Sequence, residues 1–308
     1  MATISTNAPP FSAEVIATVL SAAAIAVALA IWLSARTAIR ETTLVGPWWW
    51  ALAAIIGWGG VEIAAAGGWL ANGAWLAPLR MAAMGLSFCP AVALVGAKRP
   101  QHAAWSFVVV SLWVIVVLPA AEGFFLRRGQ ELEMGDARGW FLWILILLGP
   151  ANFAPTRFWL AALLLAGGQI VALGKFLPLA RGDLVIRPGL TGFVMSVMAL
   201  LAAWLAAVPF CPRNQIQQSP YELLWIHFRN AFGLFWSLRV QERVNAAAAQ
   251  YGWDFRLTWT GLKHNADGQP LTTIDPKAER AFRTTLRGLL RRFVSSRWIA
   301  DRLQGSLD

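Results

Sequence analysis

Residues 103–121 read AAWSFVVVSLWVIVVLPAA, a run without one charged side chain. The hydrocarbon core of a bilayer is about 30 Å thick and is crossed by about 20 mostly apolar helical residues. Inside that core each backbone N–H and C=O must be satisfied within the segment, so an isolated run of this kind is a helix. The stretch therefore reads as a transmembrane span, and it sets the class of the whole chain.

Similar runs lie on both sides of it. Residues 11–33, 47–69 and 75–97 precede it, and residues 139–154, 157–176 and 190–208 follow. The predicted fold is an all-α polytopic membrane protein with about seven transmembrane helices over residues 1–208. A small α+β cytoplasmic C-terminal domain follows over residues 209–308. The run 139–154 is short, and Pro150 and Pro155 bracket Asn152. Residues 139–176 read as a tight helical hairpin, with a broken or re-entrant element as the alternative. No Lys or Arg precedes the first run, so it reads as a span and not as a cleaved leader.

Composition agrees. Hydrophobic residues make up 57% of the 308 and charged residues 14%, against roughly 25% charged in soluble domains. The 18 tryptophans suit a membrane–water interface, where one end of the ring is apolar and the other wet. The net charge of +10 is the excess of Lys and Arg expected on cytoplasmic loops, so membrane lipids are the expected partners and nucleic acid is not favoured. Cys89 and Cys211 each precede proline and read as small residues beside kinks, not as a disulfide.

The loop charges orient the chain. The first loop carries Arg36 and Arg40, the third Lys98 and Arg99, and the fifth Arg157, while the second, 70–74, is uncharged. With a strongly basic tail this places the N-terminus outside and the C-terminus in the cytoplasm of a bacterial-type plasma or inner membrane. The fourth loop, with Arg127, Arg128, Glu131 and Glu133, and the sixth, with Arg181 and Arg187, run against the rule.

In the tail, Ser219-Pro220-Tyr221-Glu222 is a capping box with proline at the first helical position, and it opens a helix to about residue 250. Leu224, Phe228, Phe232, Phe235 and Leu238 form its apolar stripe. Residues 253–260 alternate apolar and polar as a half-buried strand, 264–268 form a turn, and 270–274 suggest a return strand. Asp275-Pro276 caps an arginine-rich helix over 277–293, and a short helix follows from Ser296. Trp225, Phe228, Phe232, Trp236 and Trp298 are the aromatic residues expected to face the membrane surface or a protein partner.

One polar site stands out within the spans. Glu62 lies about 10 Å from the end of the second span and Arg80 about 8 Å into the third, at 1.5 Å per residue. A charge in a span is expensive, so the two are expected to pair. Asn152 and Gln169 are candidates to join the same cluster. Gly60, Ala64 and Gly68, spaced by four, suggest a face for close helix packing.

No H-E-x-x-H, G-x-S-x-G, P-loop or dinucleotide turn occurs, and no histidine falls inside a span. No cofactor, metal or catalytic residue is called for, and the inventory leans against an enzyme. Three readings remain. A non-catalytic subunit, anchor or sensor predicts a dry, packed Glu62–Arg80 pair. A small transporter or channel predicts water reaching Glu62. A lipid-modifying enzyme predicts Glu62 as a general base beside an opening to the bilayer.

Overall fold

The computed structural model describes residues 13–69, 75–99, 102–125, 134–180, 188–208, 219–271 and 273–304. The expectations for residues 1–10, 70–74, 127–133 and 181–187, and for Cys211, fall outside them.

Among the described residues the elements of the N-terminal part are helices: α1 (Ala13–Ser34), a short α2 (Arg36–Ile39), α3 (Val45–Ala66), α4 (Leu76–Val95), α5 (His102–Phe125), α6 (Asp136–Phe153), α7 (Trp159–Leu173) and α8 (Pro188–Ala207). A 3-10 turn, Gly174–Phe176, extends α7. Six of these segments are long and apolar enough to cross a membrane: Ile16–Ile39, Val45–Ala66, Leu76–Val95, Ala104–Gly123, Trp159–Phe176 and Leu190–Ala207. The 18-residue α6 carries Asp136, Arg138, Pro150 and Asn152 and is not among them. Residues 139–176 form two helices joined by residues 154–158, as a tight hairpin requires.

Packing follows a ring: α4 lies on α3, α3 on α1, α1 on α8, α8 on α7, and α7 touches α4 again. Helices α5 and α6 lie against α4, which is the most enclosed member, with half of its apolar window buried. Ile56, Ile63, Phe107, Val114 and Ile144 point outward, as side chains in lipid do.

The small-residue stripe expected to pack faces the wrong way. Gly60 and Gly68 have open space beside them and are exposed. The close approach falls instead on Gly59, whose missing Cβ would lie 2.8 Å from Ile25 of α1. Gly57 faces Leu86 of α4. Period four drifts about 40° per step around a helix of 3.6 residues per turn, so the packed face cannot follow a long four-residue series.

Tryptophan does more here than mark an interface. Indole N–H groups donate to carbonyls on neighbouring elements: Trp113 to Ala82 at 3.1 Å, Trp105 to Val92 at 2.8 Å and Trp143 to Pro178 at 2.8 Å. Trp32 and Trp48 each donate to the other's carbonyl. Between apolar helices such bonds are among the few directional contacts available.

The tail contains α9 (Pro220–Tyr251), β1 (Phe255–Leu257), β2 (Leu262–His264), α10 (Pro276–Leu290) and α11 (Ser296–Gln304). The capping box at Ser219 is complete, and Asp275 caps α10. The turn expected at 264–268 forms, with the Gly268 N–H on the His264 carbonyl at 3.2 Å, and an earlier turn divides the expected first strand. β1 pairs antiparallel with β2 across residues 258–261, where the Thr258 N–H donates to the Gly261 carbonyl at 2.8 Å. The expected return is short: Pro270 bridges Lys263, flanked by the His264 N–H on the Gln269 carbonyl at 3.0 Å and the Leu271 N–H on the Leu262 carbonyl at 3.1 Å. Gly261, at φ +144°, supplies the backbone conformation that the turn needs.

The tail core is larger than a small α-β-β-α unit alone would offer. Trp225, Phe228, Phe232 and Trp236 on α9 pack with Phe255, Phe282, Phe293 and Trp298, and the cluster takes in Leu94 and Ala97 at the end of α4. The tail is thus fastened to the membrane-type helices. The Thr43 N–H donates to the Phe293 carbonyl at 2.8 Å, and Arg99 N–H to the Arg292 carbonyl at 2.9 Å. Trp236 reaches the Leu94 carbonyl at 2.8 Å, and Trp259 the Pro155 carbonyl at 3.0 Å.

Candidate functional site

The ion pair expected from depth alone is formed. On α3, Glu62 is held between Trp58 one turn below and the top of the helix, and on α4, Arg80 opens the second turn. Arg80 Nε donates to Glu62 Oε1 at 2.8 Å and Arg80 Nη2 to Oε2 at 2.9 Å. This two-pronged geometry is the strongest that the two groups can adopt. Glu62 is 7% exposed. Both of its oxygens are engaged by one guanidinium.

A third helix closes the site. A Cβ at Gly192 of α8 would lie 2.2 Å from Glu62 Oε2. Only glycine leaves room for the carboxylate there. Below it, Ser196 donates to the Gly192 carbonyl at 2.8 Å and accepts the Trp58 indole N–H at 3.3 Å. Neither Gly192 nor Ser196 carries a signal in the sequence, since one more glycine and one more serine in an apolar run look like packing residues.

Asn152 and Gln169 do not join this cluster. Gln169 of α7 donates to Ser87 Oγ of α4 at 2.9 Å. Asn152 of α6 turns to the tail: its Nδ2 donates to the Phe232 carbonyl at 3.4 Å and its Oδ1 accepts the Phe235 N–H at 3.1 Å. Four polar residues expected to form one cluster therefore make three separate inter-element contacts. The separation runs along the helix axes: Asn152 lies at the end of α6 that meets the tail, and Ser87, the partner of Gln169, is about 10 Å along α4 from Arg80 at 1.5 Å per residue.

The aromatic residues expected on a tail surface are in its core. Trp225, Phe228 and Phe232 are fully buried, and Trp236 and Trp298 nearly so. Phe293 collects them: its ring lies 5.4 Å from Phe228, 5.3 Å from Phe232 and 4.9 Å from Trp236. They cannot line a membrane or partner face without unfolding the unit. Phe235 and Leu238, which the stripe placed inside, are exposed on α9. The cause is a break at Gly233, where φ is +74° and ψ is −167° within α9. The break turns the second half so that Trp236, Val240 and Val244 face the core.

Elsewhere the chemistry is sparse. Burial, and then the hydrogen bond to and charge of Glu279, push the Tyr221 phenol up from its usual value. Among the described residues no group of three or more His, Cys, Asp or Glu is placed to hold a metal ion. Cys89 is buried with a free thiol. A crevice of ≈ 90 Å³ between Met81, Pro119, Met134 and Phe141 has Arg138 at its rim, well below the roughly 300 Å³ of small ligand sites.

Compared with protein-family models, with curated proteins and with solved structures, the chain matches none.

Proposed function

We propose that this chain is a non-catalytic integral membrane subunit or anchor that holds a basic cytoplasmic unit rigidly against the bilayer, where it meets a protein partner. The observation that carries the reading is the closed Glu62–Arg80 pair. A general base or a transport site needs a carboxylate with a free oxygen and access to substrate or water. Glu62 has both oxygens on Arg80 and Gly192 packed over them. Such a pair fixes how α3, α4 and α8 fit together.

Seven crossings, with the N-terminus outside and the C-terminus in the cytoplasm, belong to the same proposal. Helix α6 supports it by running beside α7 from end to end. Gly139, near its start, sits against Phe176 and Pro178 beyond the end of α7, and Asn152, at its other end, meets the tail. Its 18 residues span about 27 Å, close to the hydrocarbon thickness. Loops 1, 3 and 5 all touch the tail, and these carry Arg36, Arg40, Lys98, Arg99 and Arg157. The basic ends are together, as the charge rule for the cytoplasmic side requires.

The partner face proposed is the second half of α9, where Phe235 and Leu238 are exposed and apolar. Purification from native membranes in mild detergent, with mass spectrometry of co-purifying proteins, tests it. A stoichiometric partner lost in the Leu238→Asp variant supports the reading. A lone species with a transport or lipid-turnover activity abolished by Glu62→Gln overturns it.

A further inference from the structure

We infer that the joint between the tail and the membrane helices is a binding cradle for the phosphate headgroup of an anionic phospholipid. The inference rests on the membrane reading above and names a ligand for it.

Three distant pieces of chain meet at this joint. Loop 1 pairs with the end of α10 through an antiparallel bridge, Thr42 to Val294, and through the Thr43 N–H on the Phe293 carbonyl. Loop 3 adds the Arg99 N–H on the Arg292 carbonyl, and the Ser295 N–H returns to the Glu41 carbonyl at 2.8 Å. These main-chain bonds bring Arg36 and Arg40, Arg99, and Arg291, Arg292 and Arg297 to one rim, and all six are exposed. The carboxylates beside them are Glu41, 3.8 Å from Arg297 and accepting the Ser295 hydroxyl, and Asp301, one turn past Arg297 on α11. Arg36, Arg40, Arg99, Arg291 and Arg292 form no ion pair among the described residues.

Six guanidiniums against two carboxylates leave the rim with a net positive charge that attracts an anion. The depth of the rim selects the anion. Arg36 lies within and Arg40 just beyond the apolar segment Ile16–Ile39, and Arg99 is four residues past Leu76–Val95. That is the headgroup layer, where basic residues meet anionic lipid. Guanidinium forks match phosphate oxygens in pairs. Exposed Leu33 and Val45 flank loop 1 and offer apolar surface to the acyl chains. An acidic protein would need to enter that layer to reach the same groups.

The test uses the purified full-length chain in nanodiscs of phosphatidylcholine with graded phosphatidylglycerol, with bound lipid read by native mass spectrometry on release. Saturable retention of a few phosphatidylglycerol molecules per chain is expected. Arg99→Gln, Arg292→Gln and Arg297→Gln together should weaken it about 100-fold, at about fivefold per cation. Lys277→Gln, Arg280→Gln and Arg283→Gln, on exposed α10 positions ~16 Å further along the axis, should leave it unchanged. Equal retention by the first triple variant, or equal loss in both, overturns the cradle. Should the first variant not fold, the wild-type titration decides: linear, unsaturable uptake overturns the proposal. A lipid result is read without any partner present. Failure here therefore leaves the subunit reading standing, and absence of a partner leaves the lipid site standing.

Discussion

The carboxamide of Asn152 fills the break that Gly233 makes in α9. It donates to the carbonyl of Phe232 on one side and accepts the N–H of Phe235 on the other. One side chain from α6 thus stands in for helical bonds that the break removes. A Cβ at Gly233 would lie 2.1 Å from Asn152 Nδ2, at a φ of +74°. Gly233→Ala therefore meets both backbone strain and a clash, and is expected to cost at least ~2 kcal/mol. Asn152→Ala leaves a buried N–H and C=O unsatisfied, at ~1–3 kcal/mol for each group exposed to that loss. Apparent melting in detergent, read by tryptophan fluorescence, checks both. Wild-type melting of Gly233→Ala would show that α9 runs straight.

The Glu62–Arg80 pair makes a prediction with a sign change. Removing one partner strands a buried charge, so Glu62→Leu or Arg80→Leu alone is expected to cost roughly 3–5 kcal/mol. Removing both leaves no charge to strand, and the double variant should recover most of the loss. Gly192→Ala drives a methyl into Oε2 and should behave like a partial break, at ~1–3 kcal/mol. A double-variant cycle on apparent melting is the measurement. Additive losses would show that the two side chains act independently.

How much of this was legible beforehand depends on the coordinate involved. Position along the membrane normal is written in the sequence: the depths of Glu62 and Arg80 matched, and the pair forms. For Asn152 and Gln169 it is blurred, because the ends of the fifth and sixth runs are not sharp in the sequence; Asn152 lies at the tail end of α6 and Gln169 beside Ser87, and each takes a partner at its own depth. In the tail, the capping box at Ser219 and the cap at Asp275 are local signals and appear where expected. The aromatic residues failed as a surface because composition cannot separate an interfacial tryptophan from a core one. Gly233 sits in an otherwise helical pattern, and nothing in the apolar stripe that runs through it to Phe235 and Leu238 marks the break. The four-residue spacing of Gly60, Ala64 and Gly68 fixed a face but not which face the neighbours use.

Glu222 ties the start of α9 to the hairpin. Its Oε2 accepts the Ser219 N–H at 3.1 Å, closing the capping box, while Oε1 accepts the Leu262 N–H at 3.0 Å. Gly261 presses on the same oxygen, with a Cβ there only 2.4 Å away. Glu222→Ala loses a cap and strands a buried N–H, an expected cost of ~2–4 kcal/mol. Glu222→Gln keeps one acceptor and should fall between. Limited proteolysis should cut the Ala variant first near residues 258–262, and a cut elsewhere would place the weak point outside the hairpin.

The crossing of α6 has a direct chemical test. In a chain carrying Cys89→Ala and Cys211→Ala, single cysteines at Gly135 and at Arg297 report the two ends. Gly135 precedes α6, and Arg297 is 79% exposed at the tail joint. The proposed topology puts a full membrane between them. A membrane-impermeant maleimide should label Gly135→Cys in intact cells and Arg297→Cys only after permeabilisation. The reverse pattern would invert the orientation but keep the crossing, since the two ends of α6 would still lie on opposite sides. Labelling of both from the same side would remove α6 as a span and α5 with it, since loop 3 before α5 and Asn152 at the end of α6 both meet the tail. The two helices and the fourth loop between them would then all lie on the tail side.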